Sequence, residues 1–185
     1  MGGLGRAWLA GRRIHTPEIS LAWLVLAAYL PQFLAFQFPV SRKFFPDEWA
    51  AIILVVSQGA LLIFAWSNRR QPVFWMLGLG LACNLAVIVL NGGLMPISPE
   101  TVVRLAPEAS NSAWQVGERL GIGKDIVLET SRTRLWWLAD RFLLPGWFPY
   151  SVAFSLGDLL IAFGTFGFFW SLGSPGESYP KLEGG

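Results

Sequence analysis

The chain has 185 residues, the length of one ordinary domain, but 54 % of them are hydrophobic and only 14 % are charged, against about 25 % charge in soluble domains. Mean hydropathy is +0.48, and the 14 Phe and 10 Trp exclude a disordered chain, which would be poor in aromatics and rich in charge. A net charge of +2 with scattered basic residues argues against nucleic-acid binding, and a single Cys with a single His supports neither a disulfide framework nor an N/S zinc site.

A bilayer core roughly 30 Å thick is crossed by about 20 apolar residues in a helix. The first such stretch, residues 19–38, follows a basic lead of Arg6, Arg12 and Arg13. No small-residue cleavage site follows it, so the reading is a retained helix rather than a signal peptide, kinked near Pro31. The second stretch is residues 49–66 and the third residues 73–90. Trp23, Trp49, Trp66, Trp75, Trp147 and Trp170 fall near predicted helix ends, the pattern of an aromatic belt.

The third stretch ends in Asn91-Gly92-Gly93-Leu94-Met95-Pro96. Asn and Gly tolerate left-handed backbone and Pro blocks continuation, so the segment reads as a helix stop. The competing reading is a backbone nest for an anionic headgroup.

Residues 92–150 form a long loop, too long to be structureless in a compact protein. Ser98-Pro99-Glu100 reads as a helix start. Further short helices are expected over residues 112–120 and 132–144. The last carries Leu135, Trp136, Leu138, Phe142 and Leu143 beside three Arg and one Asp. That pattern suits a helix lying on the membrane surface or one packed over the bundle mouth equally well.

The fourth stretch, residues 151–172, holds the one ionisable residue of the four, Asp158. An Asp at a helix centre costs about 2.5–3.5 kcal/mol, and each Leu, Ile, Phe or Val returns roughly 0.3–0.6 kcal/mol. Eleven of those residues keep the segment apolar enough to insert. Ser155, Asp158, Ala162 and Thr165 share one predicted face, with Ala153, Gly157 and Gly164 beside it for close helix approach. Gly80, Asn84 and Asn91 align on the third helix. A polar cluster of Gln58, Asn84, Asn91, Ser155 and Asp158 is therefore expected inside the bundle. It acts either as interhelical glue or as the polar wall of a ligand site.

With an even number of spans both termini share one side. Lys and Arg counts place that side in the cytoplasm and the long loop outside.

The string NGGLMP at 91–96, LAD at 138–140 with Pro145, and FSLGDLLIAFG at 154–164 resemble a family of bacterial integral membrane proteins known only as a domain of unknown function. The resemblance covers most of the chain. Its motif residues correspond to Asn91, Gly92, Gly93, Met95, Pro96, Asp140, Ser155, Gly157 and Asp158. It implies no activity. Family members open with a further hydrophobic helix before a Gly-Gly pair, whereas Gly2-Gly3 follows Met1 directly here.

No GxSxG, HExxH, P-loop or GxGxxG pattern occurs. His15 stands alone before the first stretch, and Cys83 reads as inert packing. The loop acids Glu100, Glu108, Glu118, Asp125, Glu129 and Asp140 fit a solvated loop as well as an acid/base pair. The expectation is a single all-α membrane domain over 1–185. It has four transmembrane helices and a long loop of short helices between the third and fourth, with no catalytic or metal site. The expected role is an accessory or structural subunit of a larger membrane complex, in contact with lipid and other membrane subunits. The competing role is a binder or carrier of a small apolar molecule such as a lipid, quinone or pigment. Whether a cofactor is bound is left open by the sequence.

Overall fold

A computed structural model describes residues 18–37, 46–107 and 114–172. Arg6, Arg12, Arg13, His15, Arg42, Lys43, Glu108, Ser112 and the two ends of the chain lie outside the described residues. Five α-helices dominate: α1 (Trp23–Phe36), α2 (Asp47–Ser67), α3 (Val73–Leu90), α4 (Pro99–Leu105) and α5 (Leu156–Ser171). Two of them, α2 and α3, are long and apolar enough to cross a membrane. The shorter apolar helices α1 and α5 have 14 and 16 residues.

The helices start and stop for local reasons. Asp47 and Glu48 occupy the first turn of α2, where carboxylates meet the positive end of the helix dipole. The end of α3 follows the sequence reading: Gly92 and Gly93 both have φ of +89°, and the Gly93 N–H donates to Ile88 O at 2.8 Å. This bond closes a Schellman-type cap. A Cβ on Gly93 would stand 2.7 Å from Ala51 Cβ, so glycine also lets the end of α3 meet α2. Ser98 caps α4 by accepting from the Thr101 N–H at 3.2 Å, with Pro99 at the first helical position.

Helix α1 packs on α2, α2 on α3, and α3 on α5. Asn68, past the end of α2, pins the entry to α1. It accepts from the Ser20 N–H at 2.8 Å and donates to Ser20 O at 2.9 Å. At the opposite end of the bundle sits a cap built from residues 91–107 and 114–155.

The cap differs from the expected run of short helices. Strand β1 (Met95–Ile97) pairs in parallel with β2 (Asp125–Val127), with Met95 opposite Asp125 and Ile97 opposite Val127. Strand β3 (Phe142–Leu143) pairs antiparallel with β4 (Ala153–Phe154). Among the described residues of the expected helix at 112–120 there are only turns and a bridge from Arg119 to Ile126. There the Gly117 N–H is taken by Val127 O at 2.7 Å. The expected helix at 132–144 is a single 3-10 turn, Trp136–Leu138, entered through Leu135 at φ +53°. Beyond it the Asp140 N–H donates to Pro96 O and the Arg141 N–H to Phe154 O. Non-local partners satisfy the backbone that an amphipathic pattern alone assigned to a helix. For the same reason the fourth helix starts at Leu156 rather than residue 151: Ala153 and Phe154 belong to β4.

Burial divides the two regions. Ile97, Val102 and Val127 form the core of the cap, packed by Leu105, Trp114 and Leu120. A second cluster joins cap to bundle through Leu54, Val87, Ile88, Leu94, Met95 and Leu138. In the helices many buried positions are small, among them Ala28, Ala35, Ala50, Ser57 and Ala65. Large apolar side chains point outward instead: Leu26 is 64 % exposed, Val56 65 % and Phe163 62 %.

Candidate functional site

The polar cluster forms where α3 crosses the start of α5. Ser155 caps α5: its Oγ accepts from the Asp158 N–H at 3.0 Å, and Asp158 Oδ2 accepts from the Ser155 N–H at 3.0 Å. This reciprocal capping box satisfies two of the orphan donors of the helix end. From α3, Asn84 Nδ2 donates to Asp158 Oδ1 at 2.8 Å, and Ser155 Oγ donates to Asn84 Oδ1 at 2.9 Å. Asn84 is 4 % exposed and Ser155 fully buried. Asp158 therefore sits in the first turn of α5, and both of its oxygens have protein donors.

Glycines bring the two helices this close. A Cβ on Gly157 would lie 1.9 Å from Asn84 Oδ1, and one on Gly80 would lie 2.6 Å from Gly157 O. Gly164 meets the backbone of Leu77 in the same way. Small residues at a crossing let backbones approach, and here they leave the cluster no spare volume.

The other expected members stand apart. Asn91 is not joined to Asn84 or Asp158: it clamps the loop, accepting from the Arg134 N–H at 2.9 Å and donating to Arg134 O at 2.9 Å. It also donates to Val87 O at 2.7 Å. As the C-cap of α3 it has left the helical register that aligned it with Asn84. Gln58 has a buried Oε1 with no hydrogen-bond partner among the described residues, so it too stands outside the cluster. Of the remaining motif residues, Gly92 and Gly93 make the turn, while Met95 and Pro96 lie buried in β1.

Asp140 is a second polar centre. It is 1 % exposed, and its Oδ2 accepts from Lys124 Nζ, which also reaches Asp125 at 3.2 Å. Its Oδ1 is buried with no hydrogen-bond partner among the described residues. Burial pushes the Asp140 carboxyl up to about 8, against the lowering influence of Lys124. For Lys124, burial favours the neutral amine, but the surrounding charges of Asp125, Asp140 and Asp158 outweigh it and raise the ammonium above its ordinary value.

Arg119, which carried no signal in the sequence, is the main buried cation. Its Nε donates to Gly123 O at 2.6 Å, and its Nη1 meets Asp47 Oδ1 at 3.4 Å. Its guanidinium lies 5.0 Å from the centre of the Phe36 ring. It thus ties the cap to the ends of α1 and α2. Among the described residues no group of three His, Cys, Asp or Glu side chains is placed to hold a metal ion.

An all-helical bundle with a polar clasp and a small strand-built cap defines the class of protein. The family profile of DUF5317, a family of unknown function, matches residues 16–170, and the chain belongs to that family. Neither a curated protein nor a solved structure matches it.

Proposed function

We propose that the chain crosses a bacterial cell membrane four times and works as a non-catalytic accessory or structural subunit of a larger membrane complex. The observation that carries this reading is the large apolar surface that the helices leave exposed. Ala28, Ala50, Ser57, Ala65 and Asn84 face inward beside Leu54, Phe74 and Val87, while Leu26, Val56, Leu79 and Phe163 face outward. In water that surface drives association; among acyl chains and neighbouring helices it is at home. Helices α1 and α5 rise roughly 21 and 24 Å, short of the roughly 30 Å hydrocarbon core, so local thinning and interfacial aromatic ends accompany their passage. Trp23, Trp49, Trp66, Trp75 and Trp170, all outward-facing, suit that interfacial role.

The closed Asn84–Ser155–Asp158 clasp supports packing over ligand binding, because its polar atoms bind one another and Gly157 excludes any guest. A lipid, quinone or pigment carrier therefore gains nothing from this cluster. A better contact for a partner is the groove between α2 and α3, about 520 Å³ in volume and floored by Gly59, Ala65, Gly78 and Ala82. Its small residues admit the ridge of a neighbouring transmembrane helix. Termini on the cytoplasmic side complete the proposed topology.

Purification in mild detergent tests the subunit role. The expected result is a stoichiometric partner that Gly59→Leu releases, since no atom lies within 4 Å of a Cβ at Gly59 and the fold itself is undisturbed. A clean monomer of unaltered activity in cells overturns the proposal.

A further inference from the structure

We propose that the cap binds an anionic phospholipid, its phosphate held by Arg104 and Arg141 and its upper acyl carbons by the loop between β3 and β4. A cavity of about 180 Å³ opens beside α4 and the 3-10 turn, and Arg104, Arg141, Thr130, Thr133 and Trp136 line it. Neither Arg104 nor Arg141 has a carboxylate partner among the described residues, whereas Arg132 pairs with Glu129 and Arg119 with Asp47. Arg141 is held in place without neutralisation, its guanidinium 4.7 Å from the centre of the Trp136 ring. The one acid lining the cavity, Asp140, is already engaged by Lys124. Two guanidinium groups in an aqueous recess beside threonine hydroxyls suit a phosphate, which accepts several charge-assisted hydrogen bonds at once.

A second hollow selects a lipid over a free anion. Arg104 also borders a space of about 490 Å³ walled by Leu105, Leu143, Leu144, Phe148 and Val152. The tip above it is aromatic, with Trp147 81 % and Tyr150 69 % exposed. Strand β4 leads directly into α5, so this tip stands at the end of the bundle, the level of lipid headgroups. An amphiphile satisfies both hollows together, phosphate on the arginines and first methylenes on the leucines. Inorganic phosphate leaves the Leu143, Leu144 and Phe148 side chains of this mixed hollow, which also holds Tyr150 and Ser151, without a partner. The site is separate from the Asn84 clasp. It rests on the membrane reading of the chain and is independent of any partner subunit.

The test titrates the full chain in mild detergent with phosphatidylglycerol, with phosphatidylcholine of the same acyl chains, and with inorganic phosphate, following binding by native mass spectrometry. Phosphatidylglycerol is expected to bind at least about tenfold more tightly than phosphatidylcholine. Arg104→Gln and Arg141→Gln should each weaken it about tenfold, the loss expected for one charge-assisted hydrogen bond. Arg132→Gln should leave it unchanged, and Phe148→Ala should weaken the lipid alone. Both arginines are exposed, and a thermal melt without lipid verifies that each variant is folded. Wild-type affinity in both arginine variants overturns the site. Inorganic phosphate binding as tightly as the lipid overturns the lipid assignment in favour of a free anion. A chain that stays in solution without detergent instead sinks the membrane reading itself.

Discussion

In the cap, branched aliphatic side chains are buried and the buried cation is paired: Ile97, Val102 and Val127 are at most 2 % exposed, and Arg119 meets Asp47, as the half-exposed Lys124 meets Asp140. In the bundle Gly80, Gly157 and Gly164 stand at the crossings, and beside the buried Leu54, Phe74, Leu81, Val87 and Ile88 many large apolar groups lie outside. The cap is built as proteins are built in water, around apolar burial. The bundle brings backbones into close contact at glycines and adds a few internal hydrogen bonds, the terms that, on the proposed membrane reading, remain when the surroundings are as apolar as the core. One chain thus follows two packing rules, and the Ser155 cap of α5 lies at the seam between them.

That contrast makes the α3–α5 crossing the most fragile point. Gly157→Val should cost about 3 kcal/mol or more, because its branched side chain displaces Asn84 and separates the helices. Detergent-resistant folding, read by thermal melt, should be lost. A stable Gly157→Val variant would show that the crossing is looser than the structure has it. In the cap, Lys124→Met removes the donor from a buried carboxyl. The expected loss is about 1–3 kcal/mol, the range for leaving one buried polar group unsatisfied.

Asp140 gives the cap a pH dependence. Its carboxyl stands near 8 in the fold against an ordinary 3.8, so between those values the fold holds a proton that the unfolded chain has released. Stability should therefore fall as pH rises from about 4 to about 8. Asp140→Asn should flatten the slope, measured as Tm across that interval. An unchanged slope in Asp140→Asn assigns the dependence to another group. The smallest effect is expected on the open helix face. Gly59→Ala meets nothing within 4 Å and should change stability by no more than about 1 kcal/mol, in the stabilising direction. A large loss in the isolated chain would mean that the face packs against another part of the same chain.

The helices were legible because hydrophobicity over 18 or more residues needs no knowledge of partners: α3 has the expected bounds, and α2 lies within two residues of them. The helix stop at Asn91-Gly92-Gly93 and the start at Ser98-Pro99 were legible from backbone preference. Helical geometry placed Asn84, Ser155 and Asp158 in one expected cluster with Gln58 and Asn91, and only the first three meet. The role of Ser155 was within reach, since Ser followed three residues later by an acid is a capping-box pattern. The cap was not legible. Its strands are two or three residues long, too short for a period-2 signal, and the leucines and tryptophans after Arg132 mimic a helix face.

Composition and neighbours a few positions away were enough to specify the long apolar helices, the punctuation of α3 and α4, and the need of Asp158 for polar company inside an apolar segment. The clamping of a loop by Asn91, the anchoring of the cap by Arg119 and the reach of Lys124 to Asp140 arise from three-dimensional packing alone. Each of these contacts joins polar groups across a chain reversal. Each is fixed by which buried donor finds which acceptor once the helices have packed, and local sequence carries no record of that choice.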